Sequence, residues 1–131
     1  MERVGKWFDG WFPNAPDPAE FATQRADVQS IARAAGRDPA QLSAAMYLTL
    51  AVDEDAARAA ARMDAFLEGY YGQPAAVLRR RQAVYSGPVT GVAAWLDGYA
   101  KAGATDLVLR FAGEHERHLE ALAGVRKSLG W

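Results

Sequence analysis

The chain has 131 residues, 50% of them hydrophobic, with 15 basic and 16 acidic side chains and no cysteine. That is enough chain for one core and too little for two; a formal charge of -1 leaves no basic footprint for nucleic acid, and the missing thiols exclude a disulfide framework, a thiolate metal site and a cysteine nucleophile. No apolar run approaches the roughly 20 residues that span a bilayer, and Met1-Glu2-Arg3-Val4 lacks the layout of a secretion signal, so the expectation is a cytoplasmic protein with neither nucleic acid nor membrane as partner.

In chain order, the apolar and aromatic segment from Gly10 to Pro13, too short for a helix, reads as a buried strand. Asp17-Pro18-Ala19-Glu20 then places a cap acceptor, a proline at the first helical position and a carboxylate at the third. The spacing of Phe21, Val28, Ile31, Ala32 and Ala35 predicts a helix from Pro18 to Ala35, stopped at Gly36. Within Leu42 to Val52, the nearly uncharged stretch from Met46 onwards carries β-formers on both faces, the pattern of a strand covered by helices on each side. Asp53-Glu54-Asp55 next favours a helix start by capping, before an Ala- and Arg-rich run to Leu67.

Gly69-Tyr70-Tyr71-Gly72-Gln73-Pro74 is expected to break that helix, with a short helical excursion from Ala75 to Gln82 and a turn at Ser86-Gly87-Pro88. Val92, Ala93, Leu96, Tyr99 and Ala100 keep helical spacing between Val89 and Ala102, and Gly103 stops the helix. Leu107 to Phe111 reads as a last strand, and Leu119, Leu122, Val125 and Leu129 mark a closing helix from Glu114. Strands alternating with helices argue for an α/β protein with parallel strands. About three such units fit in 131 residues, whereas a (β/α)8 barrel takes about 250, so the arithmetic leaves either part of a barrel or an open three-stranded sheet.

Chemical motifs are sparse. No dinucleotide or phosphate loop and no serine nucleophile elbow occurs. His115 and His118 lie three apart on a helix without a third ligand at recognisable spacing, so a capping or solvated role is expected and no metal. Arg79-Arg80-Arg81 fans around a helix and reads as a solvated face. Asp53, Glu54 and Asp55 read as structural caps, and Trp7, Tyr70, Tyr71 and Trp95 as core aromatics.

Four words, Phe8-Asp9-Gly10-Trp11-Phe12-Pro13, Ala35-Gly36-Arg37-Asp38-Pro39, Gly87-Pro88 before a helix, and Ala102-Gly103-Ala104-Thr105-Asp106-Leu107-Val108-Leu109, occur in one order across nearly the whole chain. Together they resemble the C-terminal part of the bacterial luciferase-like monooxygenases, including the coenzyme F420-dependent oxidoreductases of that superfamily. The resemblance implies a single segment, residues 1 to 131, of a partial TIM barrel, supplying about strands six, seven and eight. It implies oxidoreductase chemistry on FMN or F420, with F420 favoured, acting on a small-molecule substrate. The mouth of such a barrel would be reached by Trp11, Phe12, Pro13 and Asn14, by Val52 and Asp53, and by Arg110, Phe111, Gly113 and His115. Trp11, Phe12, Asn14, Arg110, Phe111, Gly113 and His115 are the candidate cofactor-binding residues, and no catalytic residue is assigned. Because the earlier strands of the family barrel have no counterpart here, the resemblance also implies a fragment with little activity by itself, bound to the missing barrel portion or to itself. The competing reading is a non-catalytic, self-associating α/β module derived from that barrel.

Overall fold

The computed structural model describes residues 1–131, and its organising element is the long strand β2, Ser43–Val52. β1 (Gly10–Trp11) pairs in parallel with Ser43 and Ala44, β3 (Ala83–Gly87) with Leu48 to Val52, and β4 (Asp106–Phe111) with Ala45 to Leu50. Successive amides of a strand point to opposite edges. The amides of Ser43 and Asp53 donate to Asp9 and Gly87, whereas the carbonyls of Ala44 and Leu50 accept from Thr105 and Ala112. β1 and β3 therefore share one edge of β2 and β4 takes the other, in an open four-stranded sheet.

The helices cover both faces. On the even-numbered side of β2, Met46, Leu48 and Leu50 pack with Phe21 of α2 (Pro18–Ala34), Val92, Leu96 and Tyr99 of α5 (Val89–Lys101), and Val125 of α6 (His115–Leu129). On the odd side, Ala51 packs with Met63 and Leu67 of α3 (Ala56–Tyr71) and with Ala75 and Leu78 of α4 (Ala75–Leu78). Crossover handedness accounts for the division. The β1-to-β2 and β3-to-β4 connections cross the sheet in one sense and β2-to-β3 in the other, so right-handed crossovers put α3 on the face opposite α2 and α5.

Local chemistry starts and stops these helices where capping rules expect. Asp17 accepts the Glu20 amide at 2.9 Å with Pro18 at the first position of α2, and Asp55 accepts the amides of Ala57 and Arg58 at the start of α3. Tyr99, fully buried under α2, donates its hydroxyl to the Ala15 carbonyl at 3.2 Å, and burial pushes this phenol well above its ordinary range. The α/β class and parallel strands are as expected, but the inventory differs: a 3-10 turn at Pro39–Gln41 was not signalled, and the excursion from Ala75 is helical only to Leu78. A first helix, α1 (Glu2–Trp7), was not signalled. β1 is only Gly10–Trp11, so Phe12 and Pro13 leave the ladder. α3 runs through Gly69 to Tyr71 instead of ending at Leu67; the stop is Gly72, whose φ of 63° closes the amide onto the Glu68 carbonyl. A fourth strand, β3, replaces the turn expected at Ser86-Gly87. Its burial comes from pairing with the far half of β2, not from an apolar run of its own.

Candidate functional site

The two faces of the sheet carry different chemistry, and the polar one builds the site. In the β2–β4 register Tyr47 stands beside Val108 and Thr49 beside Arg110. These side chains lie on the odd face, where α3 covers the sheet only partly. Arg110 donates from Nη1 to the Tyr47 hydroxyl at 3.1 Å, while its guanidinium lies 3.6 Å from the centre of the Tyr70 ring and 4.8 Å from that of Phe66. Those two rings stack on one another at 5.9 Å, four residues apart on α3, so a single helical stripe forms the platform. Tyr71 meets Tyr70 edge-on at 4.7 Å, and Phe12 meets Tyr47 edge-on at 5.9 Å. Phe12, Tyr47, Tyr70, Tyr71 and Arg110, with Pro13 and Asn14, line an open groove of about 340 Å³.

No carboxylate lines this groove. Arg110 takes part in no ion pair, whereas Arg37, Arg58, Arg62, Arg79 and Arg117 each have an aspartate within reach. Of the five N–H donors on a guanidinium, one meets a protein acceptor here. The result is an aromatic-walled groove with a free cationic fork.

A second polar cluster closes the C-terminal ends of the strands. Asp53 is fully buried one residue past β2 and accepts from Arg58 at 2.6 and 2.8 Å, from Arg62 at 3.2 Å and from the Asp55 amide at 3.0 Å, with Arg117 at 3.7 Å. The Arg58 guanidinium, followed by the Asp55 amide, holds this carboxyl well below the usual carboxylate range. His118, also fully buried, accepts the Val52 amide at Nε2 (3.0 Å) and lies 2.6 Å from the Glu114 carbonyl through Nδ1. That pattern requires the neutral ring with its proton on Nδ1. Gly113 has φ 134°, and a Cβ there would sit 2.7 Å from Arg62 Cδ, so glycine lets Arg62 approach the cluster. Both side chains tie β2 to the helices on either face, which is work for stability.

The candidate residues divide between these places. Phe12, Asn14 and Arg110 come together in the groove. Trp11 does not join them: it stacks on Phe21 at 5.2 Å, against the core. Phe111 stacks on His118 at 5.2 Å and meets the exposed His115 edge-on, so Phe111, Gly113 and His115 belong to the second cluster. Three sequence readings need correcting. Trp7 and Tyr70 are not core aromatics, because both are exposed. His118 is not solvated, because its ring is the acceptor for a buried β2 amide. Arg79 is not on a solvated face either, since it bonds Asp64 at 2.6 Å and the Ala60 carbonyl at 3.2 Å. Residues that sequence reasoning left out of the site are Tyr47, Phe66, Tyr70 and Tyr71. The Phe66–Tyr70 spacing of four was the available signal, concealed by reading Gly69 as a break.

Comparison with known proteins finds relatives of the chain and of its fold. A family model described as "luciferase-like monooxygenase" matches residues 1–130. A 5,10-methylenetetrahydromethanopterin reductase of Methanolobus tindarius is 36% identical over 59 residues, 45% of this chain and 18% of that protein. An F420-dependent secondary alcohol dehydrogenase, solved with an F420-acetone adduct, overlays 98% of the chain with a TM-score of 0.79 at 15% identity. Riboflavin lyase, solved with modified FMN and riboflavin, overlays 98% with a TM-score of 0.72 at 11% identity. At such identities the likeness is one of fold, and the chain spans 45% and 40% of those two proteins' lengths.

Proposed function

This chain belongs to the luciferase-like monooxygenase family, and from that premise we propose that it supplies one wall of the cofactor site of a flavin- or F420-dependent oxidoreductase. The observation that carries the reading is the groove on the odd face. Its volume of about 340 Å³ lies in the range of small-molecule sites, and its walls are ring faces and edges with few, convergent polar groups. A flat heteroaromatic ring fits such a donor set: Tyr71 and Phe12 offer apolar contact, and Arg110, the Tyr47 hydroxyl and the Asn14 amide offer partners for ring carbonyls and nitrogens. The groove holds one guanidinium and no glycine-rich loop, so the fit is to the ring and not to a phosphate tail.

When bound, the ring supplies the redox chemistry, and the residues of this chain would hold and orient it. Arg110 would favour negative charge on the ring edge it faces, and the aromatic walls would exclude water from one side. The test is titration of the purified chain with FMN and with F420, followed by ligand fluorescence. Saturable quenching by at least one of them, weakened in Tyr70→Leu, is expected; no binding of either at near-millimolar protein would refute the proposal. A turnover assay in the same samples asks whether a chain of this length acts by itself.

A further inference from the structure

We propose that the Arg110 groove selects planar aromatic anions over neutral rings of the same shape, the anion being an aryl or heteroaryl carboxylate or a ring that bears its charge on an edge oxygen. The inference rests on the ring-binding reading of this groove and narrows it by charge.

Three observations carry it. First, the groove is lined without a single carboxylate, and its arginine, half-buried, lacks the aspartate that Arg37, Arg58, Arg62, Arg79 and Arg117 each have. A guanidinium removed from much of its water and left without a counter-charge favours an anion from outside. Second, Arg110 is held in place: its Cζ lies over the Tyr70 and Phe66 rings at 3.6 and 4.8 Å from their centres, and Nη1 donates a hydrogen bond to the Tyr47 hydroxyl. Its remaining N–H donors are directed along its edge, in the plane where a carboxylate accepts two parallel bonds. Third, the walls beside that edge are the Phe12 and Tyr71 rings, each perpendicular to its aromatic neighbour. A carboxylate carried on a flat ring can meet the fork while its ring meets those walls; a flexible aliphatic acid can do only the first.

The experiment is calorimetric titration of the whole chain with 2-naphthoate and with 2-naphthamide, which share a shape and differ in charge. Naphthoate is expected to bind about tenfold tighter, the worth of one charge-assisted pair. Arg110→Met removes the charge and the fork while keeping an unbranched side chain, and should erase the difference with the melting temperature lowered by no more than a few degrees. Arg110→Lys keeps the charge without the fork and should retain only a small part of the preference. Tyr47→Phe removes the anchor and should reduce the preference partially. Equal affinities in the wild type, no binding of either probe, or a preference that survives Arg110→Met would overturn the proposal. Failure here is distinguishable from failure of the cofactor reading. A chain that binds FMN or F420 but shows no naphthoate preference loses only the charge selectivity; a preference without binding of either cofactor removes only the cofactor.

Discussion

Side chains one residue apart on β2 have opposite occupations. The even positions, Ala44, Met46, Leu48, Leu50 and Val52, form the centre of the larger core, whereas the odd positions between them, Ala45, Tyr47, Thr49 and Ala51, are smaller or polar. β4 repeats the division, with Leu107, Leu109 and Phe111 against the core and Val108 and Arg110 on the other side. A strand side-chain period of two makes this possible, and a register slip of one residue would exchange the faces. The larger core and the aromatic groove thus lie on opposite sides of one sheet, the odd side also carrying the smaller core around Ala51, so changes in the larger core and in the groove should be separable.

That separation is testable by substitution. Leu48 is fully buried and its strand pairs on both edges at that position; Leu48→Ala should cost about 3 kcal/mol in denaturant unfolding and leave ring binding by the folded fraction intact. Asp53→Asn should come next, lowering the melting temperature by several degrees because three arginines lose their shared carboxylate. Its pH signature has a definite sign. A carboxyl depressed in the folded state contributes fully above its ordinary value of 3.8 and loses that contribution as the pH falls further. Wild-type stability should therefore drop more steeply than that of Asp53→Asn below pH 3.8. Arg110→Met, on the other face, should move stability by no more than about 0.5 to 1 kcal/mol while removing the preference for anionic rings. Asn14→Ala should be smallest, with an unchanged melting curve and ring affinity reduced about threefold for one lost hydrogen bond. A stability loss in Arg110→Met as large as that in Leu48→Ala would show that the two faces are not independent.

Much of the fold was readable because its signals are local. The cap at Asp17-Pro18, the apolar period of α5 and the uncharged stretch of β2 all lie within a few turns of sequence. β3 was not readable, since Val84, Tyr85 and Ser86 carry no run of their own and become a strand only against Leu48 to Val52. The site followed the same rule. Phe12, Asn14 and Arg110 could be named singly, because each follows or ends a strand. Their company could not, since Tyr47 and Arg110 meet across 63 residues and Tyr70 reaches them only because α3 lies on the odd face. His118 failed for a related reason: a histidine at a helix start reads as solvated until a distant strand end donates an amide to it.

The pairing of β2 along both edges also orders the molecule in time. Leu48, Thr49 and Leu50 have partners in both β3 and β4, with successive amides directed to opposite edges, so exposing all three to solvent requires both ladders to part, which approaches global unfolding. Ser43, paired with a two-residue strand at its edge, needs only local fraying. In amide hydrogen exchange the protection should rise along β2 from Ser43 to its middle and mark Leu48 to Leu50 as the last segment to exchange, with the face that carries the groove and the face that makes the larger core sharing one slowest-opening backbone.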